Sequence, residues 1–554
     1  MAVAALGYVQ RFGRNVPYGD DYRLVPVLSG AESLTLEWVW AQENEHRLPV
    51  SKLALWSLAR LTGTDFRAGM YANVVLLAGI SLVLLWQSGR LRGRPDYMDA
   101  FFPLALLHWG HYENLLWNIQ FFFVSAAALI LGILMSLVRP ERPGSTLRSG
   151  LAGVFVLLLG LHGAFGLVMM VPLALWLLYS SWSMRALSPN RSCADTWIRI
   201  GAAVLALALV PLYLHGLMPQ RHHPPSPGPL ATLGTALEFL GMAFGPAAPL
   251  AWPAYAVLVP GGVVATVALL AWTWWKRPRE RMRAAGLLAT LASVAALALA
   301  VGHGRAGLGP GAGFGARYAV LAVAAPCGVY FAWGLYASPP VARLVQTSLF
   351  TGTCALLTFN AMAGVGFGTP RRDTMDVFQG DVRAGMTDPE LARRYWQFLF
   401  PSEALLTDWL RVLRAAGAGP YHGLRRTHSS EVDDVVAPVP AEVHDMVCSG
   451  ATCRCRGEDP YLVVPLGRRS FVEALTIRYW FGPPTAGAVA FQVFWRATGI
   501  DDFDPARSVS RPLRVTGAPG ALVVPVRESI DTVRFDPGSG PCTFELLGLS
   551  IVPR

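Results

Sequence analysis

The chain has 554 residues, of which 53% are hydrophobic and only 15% are charged, and its mean hydropathy is +0.40. Soluble globular proteins carry about 25% charged residues, so this composition excludes a purely soluble protein and predicts membrane-spanning segments. The formal net charge of +10 does not indicate a nucleic-acid-binding protein, because the arginines lie in short loops between apolar runs.

The N-terminal part of the chain predicts one partial helix and a long loop. Residues 1–18 are apolar for too short a stretch to span a membrane, and we expect them to be the remnant of a first transmembrane helix. Residues 19–70 follow as a loop in which 33–42 and 50–61 are apolar and of helical length. Their tryptophans favour the membrane–water boundary, so we expect two interfacial helices there.

Residues 71–365 predict a transmembrane helical domain with about ten visible segments. The apolar runs lie at roughly 71–87, 98–110, 115–138, 150–163, 167–182, 200–218, 250–275, 284–301, 318–337 and 341–364. Two of these runs are short for a hydrocarbon core of about 30 Å, so we expect some broken or tilted helices.

Basic residues occupy alternate loops between these runs. These residues are Arg90, Arg92, Arg94, Arg139, Arg142, Arg148, Arg185, Arg191, Arg199, Lys276, Arg277, Arg279, Arg281, Arg283 and Arg343. Cytoplasmic loops carry the excess of basic residues, so the first loop and everything after residue 366 are expected outside the cytoplasm. The pattern predicts a multi-pass protein of a bacterial inner membrane, with its C-terminal domain extracytoplasmic.

The C-terminal third predicts two further regions. Residues 366–429 are expected to form an extracytoplasmic helical connector, with a capped helix start at Thr387. Short alternating segments after residue 430 indicate that 430–554 form an all-β sandwich domain.

Four cysteines lie in this β domain: Cys448, Cys453, Cys455 and Cys542. Outside the cytoplasm they meet oxidising conditions, so one or two disulfides are favoured over a metal site. The spacing does not determine which cysteines pair.

Polar residues able to carry chemistry concentrate in the loops predicted to face outside. Asp20 and Asp21 stand just after the first apolar stretch, where one of them can serve as a general base if it is held near an acceptor hydroxyl. A solvated loop is the alternative interpretation of two adjacent carboxylates.

Further candidates are substrate- or phosphate-binding residues in three outer loops. They are Glu45, His46, Arg47, Glu113, Asn114, Arg305, Arg317 and Tyr318. Arginine presents a planar fork suited to phosphate oxygens, and the glycine-rich run at 302–315 offers backbone N–H groups to an anion. A polar patch, a flexible loop and an arginine reaching to lipid headgroups are the alternatives. His222 and His223 lie in a proline-rich loop, and no metal site is expected there.

Several segments together resemble a known family. They are PYGDDYRLVP, AQENEHRLPVSKLALWSLARLTGTDFR, HWGHYENLLWNIQ and the loop ending in ARY. In their order and spacing they are similar to bacterial membrane glycosyltransferases of the GT-C superfamily, over about residues 8–365. The C-terminal domain resembles the jelly-roll modules that follow some of these membrane halves.

This resemblance implies an inverting glycosyltransferase that takes a sugar from a polyprenyl-phosphate carrier. The implied acceptor is an envelope glycan, lipid or protein, and transfer takes place on the extracytoplasmic face. The family's acidic residue corresponds to Asp20, with Asp21 as second choice, and arginines stabilise the departing phosphate. No cofactor and no metal are expected.

Two other functions remain open from the sequence. A lipid-linked saccharide transporter or flippase would line its spans with polar residues, and the spans here carry few. A non-catalytic, carbohydrate-binding envelope protein would instead depend on the β domain.

Overall fold

The computed structural model describes residues 1–139, 146–187, 193–218, 224–422, 433–435, 440–449, 452–482, 488–515, 517, 519–538 and 542–553. The chain forms two compact units, Met1–Met375 and Asp376–Arg554. The first unit is helical, and the second combines two helices with a β-sheet.

The helices of the first unit are named in chain order. They are α1 (Ala2–Phe12), α2 (Asp21–Leu28), α3 (Leu36–Trp40), α4 (Pro49–Thr62), α5 (Arg67–Arg92), α6 (Phe101–Leu107), α7 (Tyr112–Leu116), α8 (Phe121–Val138), α9 (Thr146–Gly160), α10 (Ala164–Leu187), α11 (Cys193–Leu214), α12 (Pro229–Gly241), α13 (Trp252–Lys276), α14 (Arg281–Arg305), α15 (Ala319–Ala322), α16 (Ala324–Tyr336) and α17 (Pro339–Arg383), which runs on into the second unit. A hairpin of β1 (Gln42–Glu43) and β2 (His46–Arg47) lies between α3 and α4.

Within the described residues, eight helical segments are long and apolar enough to cross a membrane. They contain α5, α8, α10, α11, α13, α14, the α15–α16 pair and α17. The prediction of a multi-spanning helical membrane protein is confirmed. The helices α3 and α4 also coincide with the two predicted interfacial segments.

The two shortest predicted runs differ from a simple span. The run at 150–163 becomes α9, which is too short to count among the candidate spans, as is α12. The run at 98–110 and the residues after it, up to 120, form α6, α7 and three 3₁₀ turns. The histidines, glycine and asparagines of this stretch interrupt the apolar pattern, which explains why no continuous helix forms.

Residues 97–120 nevertheless follow α5 along much of its length. Arg92, at the end of α5, pairs with Asp99 at 3.0 Å, and Asn73 near its start donates to the carbonyl of Asn114 at 2.7 Å. The path from residue 92 back to residue 73 corresponds to about 28 Å of helix, close to the thickness of a hydrocarbon core. We call residues 97–120 the broken crossing. Its interruptions are buried in protein, where non-helical backbone is tolerated at membrane depth.

The basic ends of the helices meet as the predicted topology requires. Arg90 and Arg139 both lie over the ring of Trp86, at 4.9 and 4.8 Å from its centroid. Arg139 also donates to the side chain of Gln87 at 2.8 Å. Two loops assigned to the same side of the membrane therefore converge at one end of α5 and α8.

The second unit opens with α18 (Asp388–Leu399) and α19 (Glu403–Ala416). Thr387 and Glu390 form a reciprocal capping box at the start of α18, as the sequence predicts. The connector is two helices, because Phe400 is extended and Ser402 caps α19. Asp388 of α18 links this helix to α19 and to the turn that follows it. Arg414 and Tyr421 both donate hydrogen bonds to its carboxylate.

The strands that follow form one antiparallel sheet. They are β3 (Asp433–Val435), β4 (Glu442–His444), β5 (Met446–Ser449), β6 (Thr452–Cys455), β7 (Tyr461–Gly482), β8 (Ala488–Ala497), β9 (Ser508–Arg514), β10 (Gly520–Asp536) and β11 (Thr543–Pro553). The order is β5-β6-β11-β7-β10-β8-β9, with β3 on β11 and β4 on β7. Register shifts in β10 bend the sheet around a core that includes Ile477, Phe491 and Phe544. The prediction of a C-terminal all-β domain is confirmed.

The cysteines of the β domain pair as Cys448–Cys453 and Cys455–Cys542. The first bridge closes a short hairpin between β5 and β6, and the second joins residues separated by 87 positions. A cross-link restricts the unfolded chain more strongly as the loop that it closes becomes longer.

We therefore expect unequal effects from removing the two disulfides. Cys542→Ser should lower the stability of the β domain by about 4–5 kcal/mol, and Cys448→Ser by about 2 kcal/mol, from the loop lengths alone. Hydrogen exchange of peptides from β7 and β10, measured by mass spectrometry in the full chain, provides the comparison. Equal loss of protection in the two variants would contradict the prediction.

Candidate active site

A cavity of about 540 Å³ lies in the first unit, where the hairpin meets α8, α10 and α14. Side chains from distant parts of the sequence form its polar lining. They are Asp20, Asn44, Glu45, His46, Gln120, Arg305 and Arg317. Tyr318 also lines the cavity, so six of the predicted site residues share it.

Most of the remaining lining of the cavity is apolar and comes from candidate membrane spans. It includes Phe122, Phe123, Phe165, Val168, Leu297, Val301 and Leu321. Rings of this wall contact one another, with Phe123 and Phe165 stacked at a centroid distance of 4.7 Å. The cavity therefore offers charged groups beside a hydrocarbon-like surface.

Asp20 is held at the cavity by the residue before it. Gly19 has a φ of +52°, and a Cβ there would lie 2.7 Å from the ring of Trp117. The indole N–H of Trp117 donates to the carbonyl of Tyr18 at 2.7 Å. The Asp20 side chain is about one third exposed and lies 3.5 Å from Arg23. A carboxylate with this access can meet a substrate.

Asp21 does not line the cavity and is fully buried. Its carboxylate accepts from the backbone N–H groups of Tyr18 and Ile119, at 3.2 and 2.8 Å, and from the Asn118 side chain at 3.2 Å. Burial raises its pKa to about 7, against the opposing effects of these hydrogen bonds and of the Arg371 charge. Asp21 thus ties the Asp20 segment to the start of α8.

The hairpin that carries Asn44, Glu45 and His46 is anchored by two buried cations. Lys52, 1% exposed, pairs with Glu43 at 2.9 Å and donates to the carbonyls of Trp38 and Ala41. Arg47 donates through its guanidinium to the carbonyls of Trp40, Tyr213 and His215. Both side chains donate hydrogen bonds to nearby backbone carbonyls, and these bonds fix the hairpin tip at the cavity.

An ion pair joins the hairpin tip to the end of α14. Arg305 donates to the carboxylate of Glu45, whose oxygen also lies 3.8 Å from Nε2 of His46. Nδ1 of His46 accepts from the backbone N–H of Ala164 at 3.3 Å, so the neutral ring carries its proton on Nε2, towards Glu45. Arg305 therefore meets the cavity with one carboxylate partner already in place.

The second arginine is positioned by the broken crossing. Glu113 accepts from the backbone N–H of Arg317 at 3.2 Å, and its carboxylate lies 3.6 Å from the guanidinium. Asn114 donates to the carbonyl of Arg317 at 3.3 Å. Glu113 and Asn114 thus hold the Arg317 segment from behind.

The glycine-rich loop has a different role from the one considered in the sequence. The N–H groups of Gly311 and Gly313 donate to the two carboxylate oxygens of Glu238, both at 2.9 Å. This backbone cradle therefore holds a carboxylate from α12. The loop still delivers Arg305 and Arg317, which stand at its two ends.

Four predicted site residues lie outside the cavity lining: Asp21, Arg47, Glu113 and Asn114. Each contacts the segment that presents a lining residue. Sequence reasoning did not single out Asn44 or Gln120 as site residues, although Trp117 and Gln120 belong to the E-N-x-x-W-x-x-Q spacing that carried the resemblance. His222 and His223 lie outside the described residues. Among the residues described, no cluster of three or more His, Cys, Asp or Glu side chains could hold a metal ion.

No family model matches the chain, and no curated protein matches it. Comparison with solved structures finds the single-particle cryo-EM structure of arabinosyltransferase EmbB from Mycobacterium smegmatis, with 12% sequence identity and a TM-score of 0.37. The match covers 100% of this chain and 64% of that chain, so this chain spans just under two thirds of the other's length. The chemistry proposed below rests on the residues of the cavity.

Alanine at position 19 should destabilise the first unit more than alanine at a comparable glycine. Gly93 also has a positive φ, +79°, but a Cβ there meets nothing within 4 Å. Gly93→Ala should cost about 1–2 kcal/mol from the backbone alone. Gly19→Ala should cost about 1–3 kcal/mol more, because Trp117 must move. Unfolding in a detergent titration measures both, and equal costs would show that the Trp117 contact is not tight.

Burial of Asp21 predicts a specific pH dependence of stability. An unfolded chain releases this proton near pH 4, whereas the folded protein keeps it until about pH 7. The folded state binds more protons across that interval, so its stability should fall as pH rises from about 4 to 7. Asp21→Asn should flatten this part of the curve of melting temperature against pH. An unchanged slope in the variant would show that Asp21 is not the responsible group.

Proposed function

We propose that this protein is a membrane glycosyltransferase of the GT-C type, which moves a sugar from a polyprenyl-phosphate carrier to a cell-envelope acceptor. One observation supports this most directly. A carboxylate, two arginines and an apolar wall from several spans line a single cavity. These are the groups needed to bind an acidic lipid and to activate a hydroxyl beside it.

The two parts of the cavity match the two ends of such a donor. The apolar wall from α8, α10 and α14 accommodates the first isoprene units, which gain free energy by leaving water. Arg305 and Arg317 bind the phosphate, since guanidinium forks form strong charge-assisted hydrogen bonds with phosphate oxygens. Each arginine has a carboxylate neighbour, Glu45 or Glu113, which holds the guanidinium in place before the donor binds.

The transfer follows from this arrangement. Asp20 accepts the proton of an acceptor hydroxyl, and the oxygen attacks the anomeric carbon of the donor sugar. The bond from that carbon to the phosphate oxygen breaks, and the electron pair leaves with the polyprenyl phosphate. Arg305 and Arg317 stabilise the charge that develops on the phosphate. Attack opposite the leaving group inverts the anomeric centre, and no metal is required.

Two observations support transfer on the extracytoplasmic face. The basic ends of α5 and α8 lie at the far end of the broken crossing from Asp21, and basic loops favour the cytoplasm. Disulfides in the β domain are typical of an oxidising compartment. The second unit is then extracytoplasmic, where it acts as a carbohydrate-contacting module or as a structural lid.

Asp20→Asn should lower sugar transfer by about 10²–10⁴-fold, because the amide cannot accept the proton. Binding of undecaprenyl monophosphate should remain, since the arginines and the apolar wall are unchanged. Radiolabelled polyprenyl-phosphate sugars supplied to membranes containing the full chain measure the transfer.

Asp65→Asn is a matched control from the same predicted outer loop. Asp65 pairs with Arg67 and does not line the cavity, so its variant should transfer sugar normally. Normal turnover in Asp20→Asn would remove this residue from the mechanism. Movement of labelled lipid-linked sugar across the membrane without a covalent product would favour a flippase instead.

A further inference from the structure

Gln120 is a buried polar residue of the cavity to which the transfer mechanism assigns no role. Its side chain lines the cavity, and the residue is only 2% exposed. The amide oxygen is buried and has no hydrogen-bond partner among the residues that the structure describes. Buried amide groups are nearly always hydrogen-bonded, and an unsatisfied one costs about 1–3 kcal/mol. When the side-chain amide turns towards the cavity, a ligand group there can satisfy it.

The position of Gln120 is tightly controlled. It ends the 3₁₀ turn Asn118–Gln120, and its backbone N–H donates to the carbonyl of Trp117 at 3.2 Å. The same turn is bound by Asp21, which accepts from Asn118 and from the N–H of Ile119. One buried carboxylate therefore fixes both Asp20, its neighbour in sequence, and the turn that carries Gln120.

The chemistry of the amide defines its ligand. A carboxamide is uncharged and supplies one acceptor and one donor group, which exchange places when the group rotates by half a turn. An isoprene chain forms no hydrogen bonds, and an ionised phosphate cannot donate to the amide oxygen. A sugar hydroxyl both donates and accepts, so it can satisfy either orientation.

The location favours the same ligand. Gln120 directly precedes α8, whose residues Phe122 and Phe123 belong to the apolar wall, and Arg317 lies in the polar part of the lining. In a polyprenyl-phosphate sugar the phosphate joins the lipid to the sugar. A residue that shares the cavity with both the apolar wall and the charged groups can bind the first atoms of the sugar.

The geometry points to Gln120 as a specificity residue that binds a ring hydroxyl of the transferred sugar. This assignment rests on the proposed glycosyltransferase function. A site built around a buried hydrogen-bonding group strongly rejects analogues that lack the matching hydroxyl, because the group is then left unpaired.

The test uses the full chain in proteoliposomes and undecaprenyl phosphate carrying a neutral hexose, a neutral pentose or a hexuronic acid. The wild type should transfer at least one of these sugars, and the one with the highest kcat/KM is taken as its preferred donor. Gln120→Met should lower kcat/KM for that donor by about 10–100-fold, the effect of losing one such hydrogen bond at about 1.4 kcal/mol for each factor of ten. Binding of undecaprenyl monophosphate, which has no sugar, should stay within about twofold of wild type.

Deoxy versions of the preferred donor identify the hydroxyl. With the wild type, one deoxy donor should lower turnover as strongly as Gln120→Met does with the full donor. With Gln120→Met, the same deoxy donor should cause no further loss, because the two changes remove the same interaction. Gln120→Asn, which keeps the amide but shortens the side chain, guards against a folding defect and should fall between wild type and Gln120→Met.

Gln346→Met is the matched control. Gln346 is also a buried glutamine in a span, but its amide donates to the carbonyl of Tyr330 and does not line the cavity. Its variant should transfer sugar as the wild type does. Equal loss of undecaprenyl monophosphate binding in Gln120→Met, or unchanged kcat/KM, would overturn the assignment and leave the glycosyltransferase proposal intact. A wild-type protein that transfers none of these sugars would overturn the proposed function itself.

Discussion

The hydrogen bonds accepted by Asp21 hold the cavity together. This buried carboxylate receives two backbone N–H groups and one side-chain amide, and these donors come from the first loop and from the turn before α8. Taking a carboxylate out of water is costly unless such donors replace its hydration. The loop and the turn must therefore lie together. This contact also fixes the position of Asp20, the partly exposed neighbour of Asp21. A buried acid outside the cavity lining thus sets the position of the acid that the proposed mechanism uses as its base.

The charged residues at and around the cavity form ion pairs with one another, so their charges are not stabilised by water alone. Glu45 partners Arg305, Glu113 partners Arg317, and Lys52 holds the hairpin through Glu43. Such pairing keeps the long side chains extended into the cavity before a ligand arrives. In the proposed mechanism, the donor phosphate replaces one anionic partner of each arginine with another, with little rearrangement of the arginines.

Much of this architecture could be predicted from the sequence. Hydrophobic runs located the eight long apolar helices, and the loops predicted to face outside contained six residues of the cavity lining. Residue type alone does not distinguish a lining residue from its support: Arg47 has the charge of a phosphate ligand but binds backbone carbonyls. Likewise, the path of the broken crossing depends on contacts such as the hydrogen bond from Asn73 to Asn114. The hydrophobic periodicity of the sequence does not predict such contacts. Gln120 was identified as a candidate site residue only from its burial in the structure.

The broken crossing has a consequence for how the protein is made. Its short helices leave backbone groups outside any continuous ladder, and its two histidines are almost completely buried among neighbouring helices. Such a segment is a poor independent substrate for insertion into lipid, where unsatisfied peptide groups are strongly disfavoured. We therefore expect it to enter the bilayer together with α5 and α8, as one cooperative unit. Truncation of the nascent chain before α8 would leave the broken crossing without the neighbouring helix that it needs for insertion.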